Sequence, residues 1–323
     1  MSILYPVKHY LFNHHLFNHL KAIRQKPASG LDQIVLVLFR FRGFLAAMGV
    51  GWAIAIVVAL IAVPAHSLTV EGDRWLSIAQ LQGNVELIPF QGVAKQAQVG
   101  DRLASVGDML VTNANSSARL VVDQQAGAVS MAENTELQVS TLSITSRGGR
   151  ITVINVLRGQ VRMTVRSLTN PDSRLEIHTP AGISGVRGTD FGVTVQSGGR
   201  TGVATSEGSV YAIAQGATVS VDANLQTTIE PGRPPEPPEP LRDDPTVFIS
   251  ALSALPGSIP DNPMARVVGM TDAVNLIQIN DDPKLLNREG RFDVVVPMSA
   301  AGRVRMSVLT PLGTEQQYEL VVP

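Results

Sequence analysis

Short alternating segments make up the chain after residue 67, and they constrain the fold more than any other feature. Apolar and polar residues alternate with the period of a β-strand in Val161-Arg162-Met163-Thr164-Val165-Arg166 and again in Leu175-Glu176-Ile177-His178-Thr179. Turn residues such as Gly and Pro separate segments of this kind about every ten residues. Because no long helical pattern follows residue 67, the sequence predicts an all-β fold there.

The composition excludes several functional classes. Hydrophobic residues make up 44% of the chain and charged residues 16%, which is enough apolar material to bury a core. A net charge of −1 gives no electrostatic basis for a nucleic-acid partner. The chain has no cysteine, so disulfides, thiolate catalysis and Cys-bearing metal sites are excluded.

An apolar run precedes the alternating segments. Residues 43–63 are uncharged and mostly apolar, and a run of this length can cross a bilayer. The residues before it carry a net charge of +5, and Arg40 and Arg42 stand at its boundary, which favours a cytoplasmic N-terminus. Ala65-His66-Ser67 resembles a signal-peptidase motif. We therefore interpret 43–67 as one apolar helix, either a cleaved signal peptide or a retained membrane anchor, and we place the rest of the chain in the periplasm or cell envelope.

The segment before the apolar run, residues 1–42, is basic and rich in histidine. His15 and His19 have the spacing of two metal ligands on one helix face. No carboxylate or cysteine stands nearby to complete a site, so we predict no metal there. An amphipathic helix lying on the membrane, with Phe12, Leu16 and Leu20 on one face, explains the pattern better.

The exported part divides at a proline-rich segment. Six of the ten residues in 231–240 are proline, which favours an extended, semi-rigid spacer. We therefore predict a β domain over 68–230, a linker over 231–245 and a second β module over 246–323. Within the first domain, Leu81-Gln82-Gly83-Asn84-Val85 and Leu157-Arg158-Gly159-Gln160-Val161 share the pattern L-x-G-x-V, which suggests two related halves.

The stretch from Arg174 to Val195, RLEIHTPAGISGVRGTDFGVTV, resembles the hallmark of the FecR domain, the periplasmic domain of iron-transport regulators. Residues 100–139 are similar to the first half of that domain, and Glu207-Gly208-Ser209-Val210 is similar to its closing hairpin. The resemblance covers about 75–230 and implies a twisted β-solenoid-like or sandwich-like domain. Residues 246–323 resemble small bacterial Ig-like β-sandwich modules.

The hallmark has a physical interpretation of its own, as a tight bend. Glycines allow positive φ and close backbone approach, and Pro180 makes Thr179 extended. Ile183, Val186 and Phe191 are spaced to fill an apolar interior, and Arg187 could pair with Asp190. A backbone role is favoured over a partner-binding surface for the whole set, which comprises Thr179, Pro180, Gly182, Gly185, Val186, Arg187, Gly188, Thr189, Asp190 and Phe191.

Nothing in the sequence predicts catalysis or a cofactor. His178, Ser184 and Asp190 are the residue types of a catalytic triad, but three glycines stand between them and the G-x-S-x-G elbow is absent. The chain has no P-loop, and after residue 67 it has a single histidine, which excludes a multi-histidine metal centre.

We therefore predict a non-enzymatic extracytoplasmic protein that binds an envelope protein partner in signalling, with strand edges offered to that partner. One alternative is a structural or glycan-binding envelope scaffold. Another is a transmembrane regulator of a sigma factor, as the family resemblance suggests. Against the latter, residues 1–43 lack the tryptophans that mark the family's cytoplasmic anti-sigma segment.

Overall fold

The structure, a computed structural model, describes residues 74–123, 127–186, 188–256 and 263–323. The basic segment 1–42 and the apolar helix predicted over 43–67 lie outside the described residues. All described residues belong to one compact unit, Val70–Pro323. Among them, no helix is long and apolar enough to span a membrane.

The described part of the chain is all-β and its sheets are open, in agreement with the alternating sequence pattern. Seventeen strands precede residue 241 and form one continuous hydrogen-bonded network. They are β1 (Leu76–Gln82), β2 (Val85–Ile88), β3 (Lys95–Gln96), β4 (Arg102–Leu103), β5 (Met109–Thr112), β6 (Ser117–Val122), β7 (Gly127–Met131), β8 (Thr135–Ile144), β9 (Arg150–Val165), β10 (Arg174–His178), β11 (Ile183–Val186), β12 (Asp190–Val195), β13 (Thr201–Glu207), β14 (Ser209–Ala214), β15 (Ala217–Asp222), β16 (Leu225–Ile229) and β17 (Glu239–Pro240).

The network consists of two sheets that share strand β9. The first sheet has the order β4-β1-β6-β7-β9-β12-β13-β16-β17, and the second has the order β3-β2-β5-β8-β9-β10-β11-β14-β15. All pairs are antiparallel except β9 with β10. Because β9 is central to both sheets, it ties the two layers together covalently.

Gly159 lets β9 pass from one sheet to the other. Residues before it pair with β8 and β10, and residues from it onward pair with β7 and β12. Its φ is +94°, and a Cβ there would lie 2.5 Å from Thr135 Cα, so only glycine fits. The sequence pattern favours two strands, over 151–157 and 160–166. The structure instead has one bent strand, because the glycine turns the chain without reversing it.

The other L-x-G-x-V segment, residues 81–85, also takes the chain from one sheet to the other. The chain leaves β1 in the first sheet, passes through Gly83 at a φ of +73°, and enters β2 in the second sheet. The two crossings are supported alike: Ser116 Oγ accepts from Asn84 N at 2.8 Å, and Thr135 Oγ1 accepts from Gln160 N at 3.0 Å. The sequence repeat therefore corresponds to a repeated piece of structure.

A third crossing uses the same G-x-V core. Gly208 has a φ of +80° between β13 of the first sheet and β14 of the second. A Cβ there would lie 2.6 Å from Gly188 O, so this crossing packs against the neighbouring passage from β11 to β12. Three G-x-V segments thus mark three places where the chain changes sheet.

One hydrophobic core lies between the two sheets and takes side chains from both. Its largest fully buried members include Phe191, Leu76 and Met163 from the first sheet and Leu137 and Ile177 from the second. Along β12 and β13 both faces are buried, so the outer face of the first sheet is covered there as well.

The C-terminal residues form two further sheets around a second hydrophobic cluster. One has the order β18-β19-β22 and the other β21-β20-β23-β24. The strands are β18 (Phe248–Ala254), β19 (Met264–Met270), β20 (Leu276–Ile279), β21 (Asp282–Lys284), β22 (Arg291–Pro297), β23 (Arg303–Leu309) and β24 (Glu315–Val321). The sequence pattern predicts strands over 265–270, 274–280, 291–296, 302–308 and 316–322, which correspond to β19, β20, β22, β23 and β24, and it misses β18 and β21. It also predicts a turn that begins at Asn280-Asp281, and both residues have positive φ in the structure.

The proline-rich segment lies along β16. Glu236 N donates to Thr228 O at 3.0 Å, and Glu239 pairs with Gln226 in the short strand β17. Prolines are tolerated here because an edge strand needs N–H groups on one side only. The predicted domain boundaries stay a prediction; the hydrogen bonds indicate that 236–241 is held against the first sheet.

The crossing role of Gly159 predicts a large cost for a side chain there. Gly159→Ala should destabilise the fold by about 2–4 kcal/mol, because positive φ and overlap with Thr135 act together. Gly216→Ala is the matched control: its φ is +76°, but a Cβ there meets nothing within 4 Å. It should cost about 1 kcal/mol. Urea unfolding of the two variants would measure the difference, and equal costs would contradict the crossing role.

Candidate functional site

The hallmark begins as a hairpin turn between β10 and β11. Thr179 N donates to Gly182 O at 2.9 Å, and Thr179 Oγ1 accepts from Gly182 N at 3.2 Å. A second hydroxyl supports the turn, because Thr201 Oγ1 donates to Thr179 Oγ1 at 2.8 Å. Pro180 closes the turn against Gly199, where a Cβ would lie 2.9 Å from the proline Cβ.

The three hallmark glycines have different environments. A Cβ on Gly182 would lie 2.6 Å from Ile213 O, and Gly188 has a φ of +112° with Ser167 Cα 2.7 Å from the position of a Cβ. Gly185 lies inside β11, has no positive φ and has open space around it. The expectation that the hallmark glycines have positive φ or a close backbone approach therefore fails at Gly185. The segment is a passage from one sheet to the other, and it is not a single tight bend.

Of the three residues predicted to fill the interior, two face the core and one faces outward. Val186 and Phe191 belong to the core, and Phe191 is fully buried. Ile183 is half-buried, since it alternates with Ser184 and Val186 and faces outward. Thr189 is buried, and its carbonyl accepts from Val165 N at 2.8 Å.

Asp190 binds Arg162 of β9. Its Oδ1 and Oδ2 accept from Arg162 Nε at 3.0 Å and from the Arg162 terminal nitrogen at 2.7 Å. These bonds lower the pKa of Asp190 below its ordinary value, against the opposing effect of burial. Arg187, the partner predicted for Asp190, lies outside the described residues.

The three triad-type residues do not converge. His178 Nε2 contacts Glu176 Oε2 at 2.8 Å, and Asp190 is held by Arg162. Ser184 is buried, and its hydroxyl has no hydrogen-bond partner within the described ranges. Its strand neighbour across the ladder is Ile177, so His178 projects from the opposite face. The arrangement supplies no nucleophile and base in contact.

The outward-facing residues of β12 bind the C-terminal module. Gly192 lies directly against Pro311 O, where a Cβ would overlap that oxygen. Thr194 Oγ1 donates to Val274 O, and Gln196 Nε2 donates to Asn275 O at 3.1 Å. Gln196 also accepts from Leu286 N at 3.2 Å through its Oε1.

Side chains on either side of β12 extend this contact. Gln160 Nε2 donates to Pro311 O at 2.7 Å, Arg162 donates to Leu312 O at 3.1 Å, and Arg200 donates to Asn287 O at 2.9 Å. Polar side chains of the first sheet thus satisfy backbone carbonyls of the C-terminal module, so this sheet face is occupied. The sequence gives a weak signal for this contact, namely buried polar residues alternating with core residues in a strand.

The open surface lies instead at strand edges. The two ends of the first sheet and one end of the second are two-residue strands, and β21 contains a proline. Charged residues occur in β15, β22 and β24. Among the described residues, strand β18 (FISALSA) pairs with β19 alone; it contains neither charge nor proline, so it lacks these protections.

The backbone of β18 has donors free for a further strand. Leu255 N donates to Met264 O at 2.9 Å, so the alternate N–H groups of Leu252 and Ala254 point away from β19. Phe248 at the start of β18 is 67% exposed, and it pairs in register with Met270, which is 41% exposed. An extended chain can therefore add to this edge and cover an apolar pair.

A cleft of about 530 Å³ lies beside Phe248 and Met270. Arg242 bridges Glu239 and Asp272 within it, and Arg288 binds Glu236 at 2.8 Å. Carboxylates outnumber guanidinium groups in the lining, which makes the cleft acidic. The remaining charged lining residues are Asp244 and Glu289.

No group of three or more His, Asp or Glu side chains within the described ranges is placed to hold a metal ion. The acidic cleft offers hydrogen bonds and charge to a polar ligand.

Comparison with known proteins identifies the central part. Residues 108–211 match the family model of the FecR protein. The match contains the hallmark and confirms the predicted resemblance over that range. No curated protein matches the chain.

The solved structures that resemble the chain do so weakly. Two crystal structures, at 1.65 and 2.50 Å resolution, of a protein described as a proposed anti-sigma factor from Parabacteroides distasonis ATCC 8503 each have 15% identity and a TM-score of 0.35. The alignment covers 41% of this chain and 59% of theirs, so less than two thirds of those relatives is matched. The polysaccharide lyase BACCELL_00875 has 13% identity and a TM-score of 0.17 over 77% of this chain and 40% of its own. TM-scores this low carry no argument about function.

The hallmark glycines predict opposite outcomes for one substitution. Gly188→Val should destabilise the fold by about 2–4 kcal/mol, because positive φ and the Ser167 backbone both exclude a β-branched side chain. Gly185→Val should be tolerated, since β11 is extended and open there. Thermal unfolding would compare the two variants. A Gly188→Val protein that melts like the parent would remove the backbone role of the hallmark.

The Asp190–Arg162 pair predicts a pH dependence. Because the folded-state pKa of Asp190 is lowered, its contribution to stability is present above the ordinary value of 3.8 and is lost as the pH falls through the folded value. Asp190→Asn should therefore be less stable than the parent at neutral pH, and the gap should narrow in acid. Asp293→Asn, which breaks the more exposed pair with Arg266, should change stability less. Denaturant titrations across the acid range test both, and a constant gap would contradict the assignment.

Proposed function

We propose that the chain is a non-enzymatic envelope protein that takes part in signalling by binding a partner protein along the free edge of β18. The observation that carries the proposal is an uncharged edge strand, beside an exposed Phe248–Met270 pair, whose outward backbone donors have no partner among the described residues. Backbone pairing supplies affinity in this mode of binding, and the adjoining side chains supply specificity.

The family match supports the signalling part of the proposal. Residues 108–211 match the FecR family model, and the resemblance of this segment to the periplasmic domain of iron-transport regulators supports a role in signalling. We propose with it a FecR-type fold for 68–230, an Ig-like fold for 246–323 and a location outside the cytoplasm, with 43–67 as signal peptide or membrane anchor. The covered outer face of β12 supports binding at the C-terminal module rather than at the hallmark.

The acidic cleft beside β18 favours a partner strand with basic residues at one end. A segment paired with β18 would run past Phe248 toward Asp244 and Glu289, which lack ion-pair partners within the described part of the chain. Opposite charge at that end would set the direction and register of the added strand.

Site-specific crosslinking tests the proposal. The chain has no cysteine, so Ser253→Cys places a single thiol on exposed β18. In intact envelopes we expect it to crosslink to one protein. Ala254→Pro in the same chain should abolish the crosslink without lowering the melting temperature, because that N–H points away from β19.

Thr218→Pro on β15 is the matched control, since its N–H also faces an open edge next to the two-residue turn Gln215-Gly216. It should leave the crosslink intact. Crosslinking that survives Ala254→Pro would contradict edge binding. Attachment to cell-wall material instead would favour the scaffold alternative, and capture of a sigma factor would favour the regulator alternative.

A further inference from the structure

A second cleft, away from β18, is lined by arginines. It measures about 280 Å³ and lies where β9 and β10 begin, next to the loop that follows β9. Its lining contains four guanidinium groups and one carboxylate. They are Arg74, Arg150, Arg166 and Arg174, with Asp123.

Arg74 forms the buried wall of this arginine cleft. It is 8% exposed, binds Asp123 through two nitrogens, and donates to Ser143 O at 2.7 Å and to Thr152 Oγ1 at 2.6 Å. All its donors toward the protein are therefore used, and it neutralises the one carboxylate in the lining. The charge offered to a ligand comes from the other three arginines.

Those three side chains are exposed and weakly partnered. Arg150 and Arg166 have no ion pair within the described part of the chain, and Arg174 contacts Glu176 at 3.4 Å. The nearby Arg147 differs, because its guanidinium binds Asp172 at 2.6 Å. The cleft thus keeps a net charge of about +3 with free donors.

The remaining lining suits an anion with several oxygens. Ser167 and Thr169 are exposed and carry hydroxyl groups at the rim. Guanidinium forks match the geometry of phosphate oxygens, and hydroxyl groups complete such sites. The volume of the cleft fits a headgroup rather than a folded partner.

We propose that this cleft binds the phosphate of an anionic phospholipid headgroup. The position of the cleft along the chain selects this source of phosphate. Ten residues, 64–73, separate the apolar run 43–63 from Arg74, and ten extended residues reach at most about 35 Å. A retained anchor would therefore keep the cleft within reach of the membrane surface, where basic side chains gain affinity from anionic lipids.

This inference rests on the proposed export with the apolar segment retained as a membrane anchor, and not on partner binding by β18. The test therefore uses only the full-length chain inserted in lipid nanodiscs. One set of nanodiscs contains phosphatidylcholine alone. The other set contains phosphatidylcholine with increasing fractions of phosphatidylglycerol. Thr169→Cys carries a fluorophore at the rim of the cleft, and a headgroup-linked quencher reports its approach to the lipid surface.

We expect quenching that depends on phosphatidylglycerol and weakens with salt. Arg150→Ala/Arg166→Ala should raise the phosphatidylglycerol needed for half-maximal quenching roughly 30-fold, since each arginine near an anionic surface contributes about fivefold. Arg291→Ala is the matched control, an exposed arginine in β22 without an ion pair among the described residues, and it should behave like the parent. Melting temperatures should be unchanged, because neither cleft arginine supports a described side-chain contact.

Competition with inorganic phosphate distinguishes a lipid headgroup from a soluble anion as the ligand of the cleft. If phosphate in solution displaces the cleft from phosphatidylglycerol at micromolar concentration, the site serves a soluble anion and the lipid assignment is wrong. Equal quenching in both lipid sets, or a double arginine variant that matches the parent, would also overturn the proposal. If Ser253→Cys gives no crosslink while this quenching is retained, that result would contradict the proposed function alone.

Discussion

The fold depends on glycines that let the chain change sheet. Gly83, Gly159 and Gly208 hold positive φ at the three G-x-V segments, and the chain crosses between the two layers at each. Around Gly83 and Gly159 no space exists for a Cβ, so backbone freedom and close approach act together. Because β9 belongs to both sheets, the layers cannot separate without breaking its ladder on one side. A single core can then form between sheets that are otherwise open at both ends.

A second constraint is the polar contact between the first sheet and the C-terminal module. Thr194 in β12 and Gln196 directly after it alternate with core residues and bond to backbone carbonyls, while Gly192 admits Pro311. Buried polar groups of this kind contribute little when satisfied and cost much when left unpaired, so they specify one docking geometry. The two hydrophobic clusters remain separate on either side of this contact. Specificity of docking therefore comes from hydrogen bonds, and stability comes from each core.

Much of this architecture could be predicted from the sequence. Alternation predicts the all-β class, and the L-x-G-x-V repeat marks two of the crossings. The sequence does not distinguish a glycine that turns a chain from one that lies in open extended structure, which is why the expectation of positive φ or close backbone approach fails at Gly185. Strand β18 is missed because FISALSA has weak alternation and many small residues. Proline density suggests an extended, semi-rigid spacer over 231–245. In the structure, backbone contacts of Glu236 and Glu239 hold part of this segment to β16.

The segment matched to FecR is shorter than the structural unit around it. It starts at Asp108 and stops within β14, so it omits β1 and the first crossing glycine, and it omits β16, which pairs with β13. It also omits the module that covers β12. The hallmark's inward residues in β11 and β12 fill the core, and its outward residues in β12 bind this module, so β12 has little surface left for a partner. We therefore propose that partner choice comes from outside the matched segment. Strand β18 meets that requirement, because it lies in the covering module and keeps an open edge among the described residues.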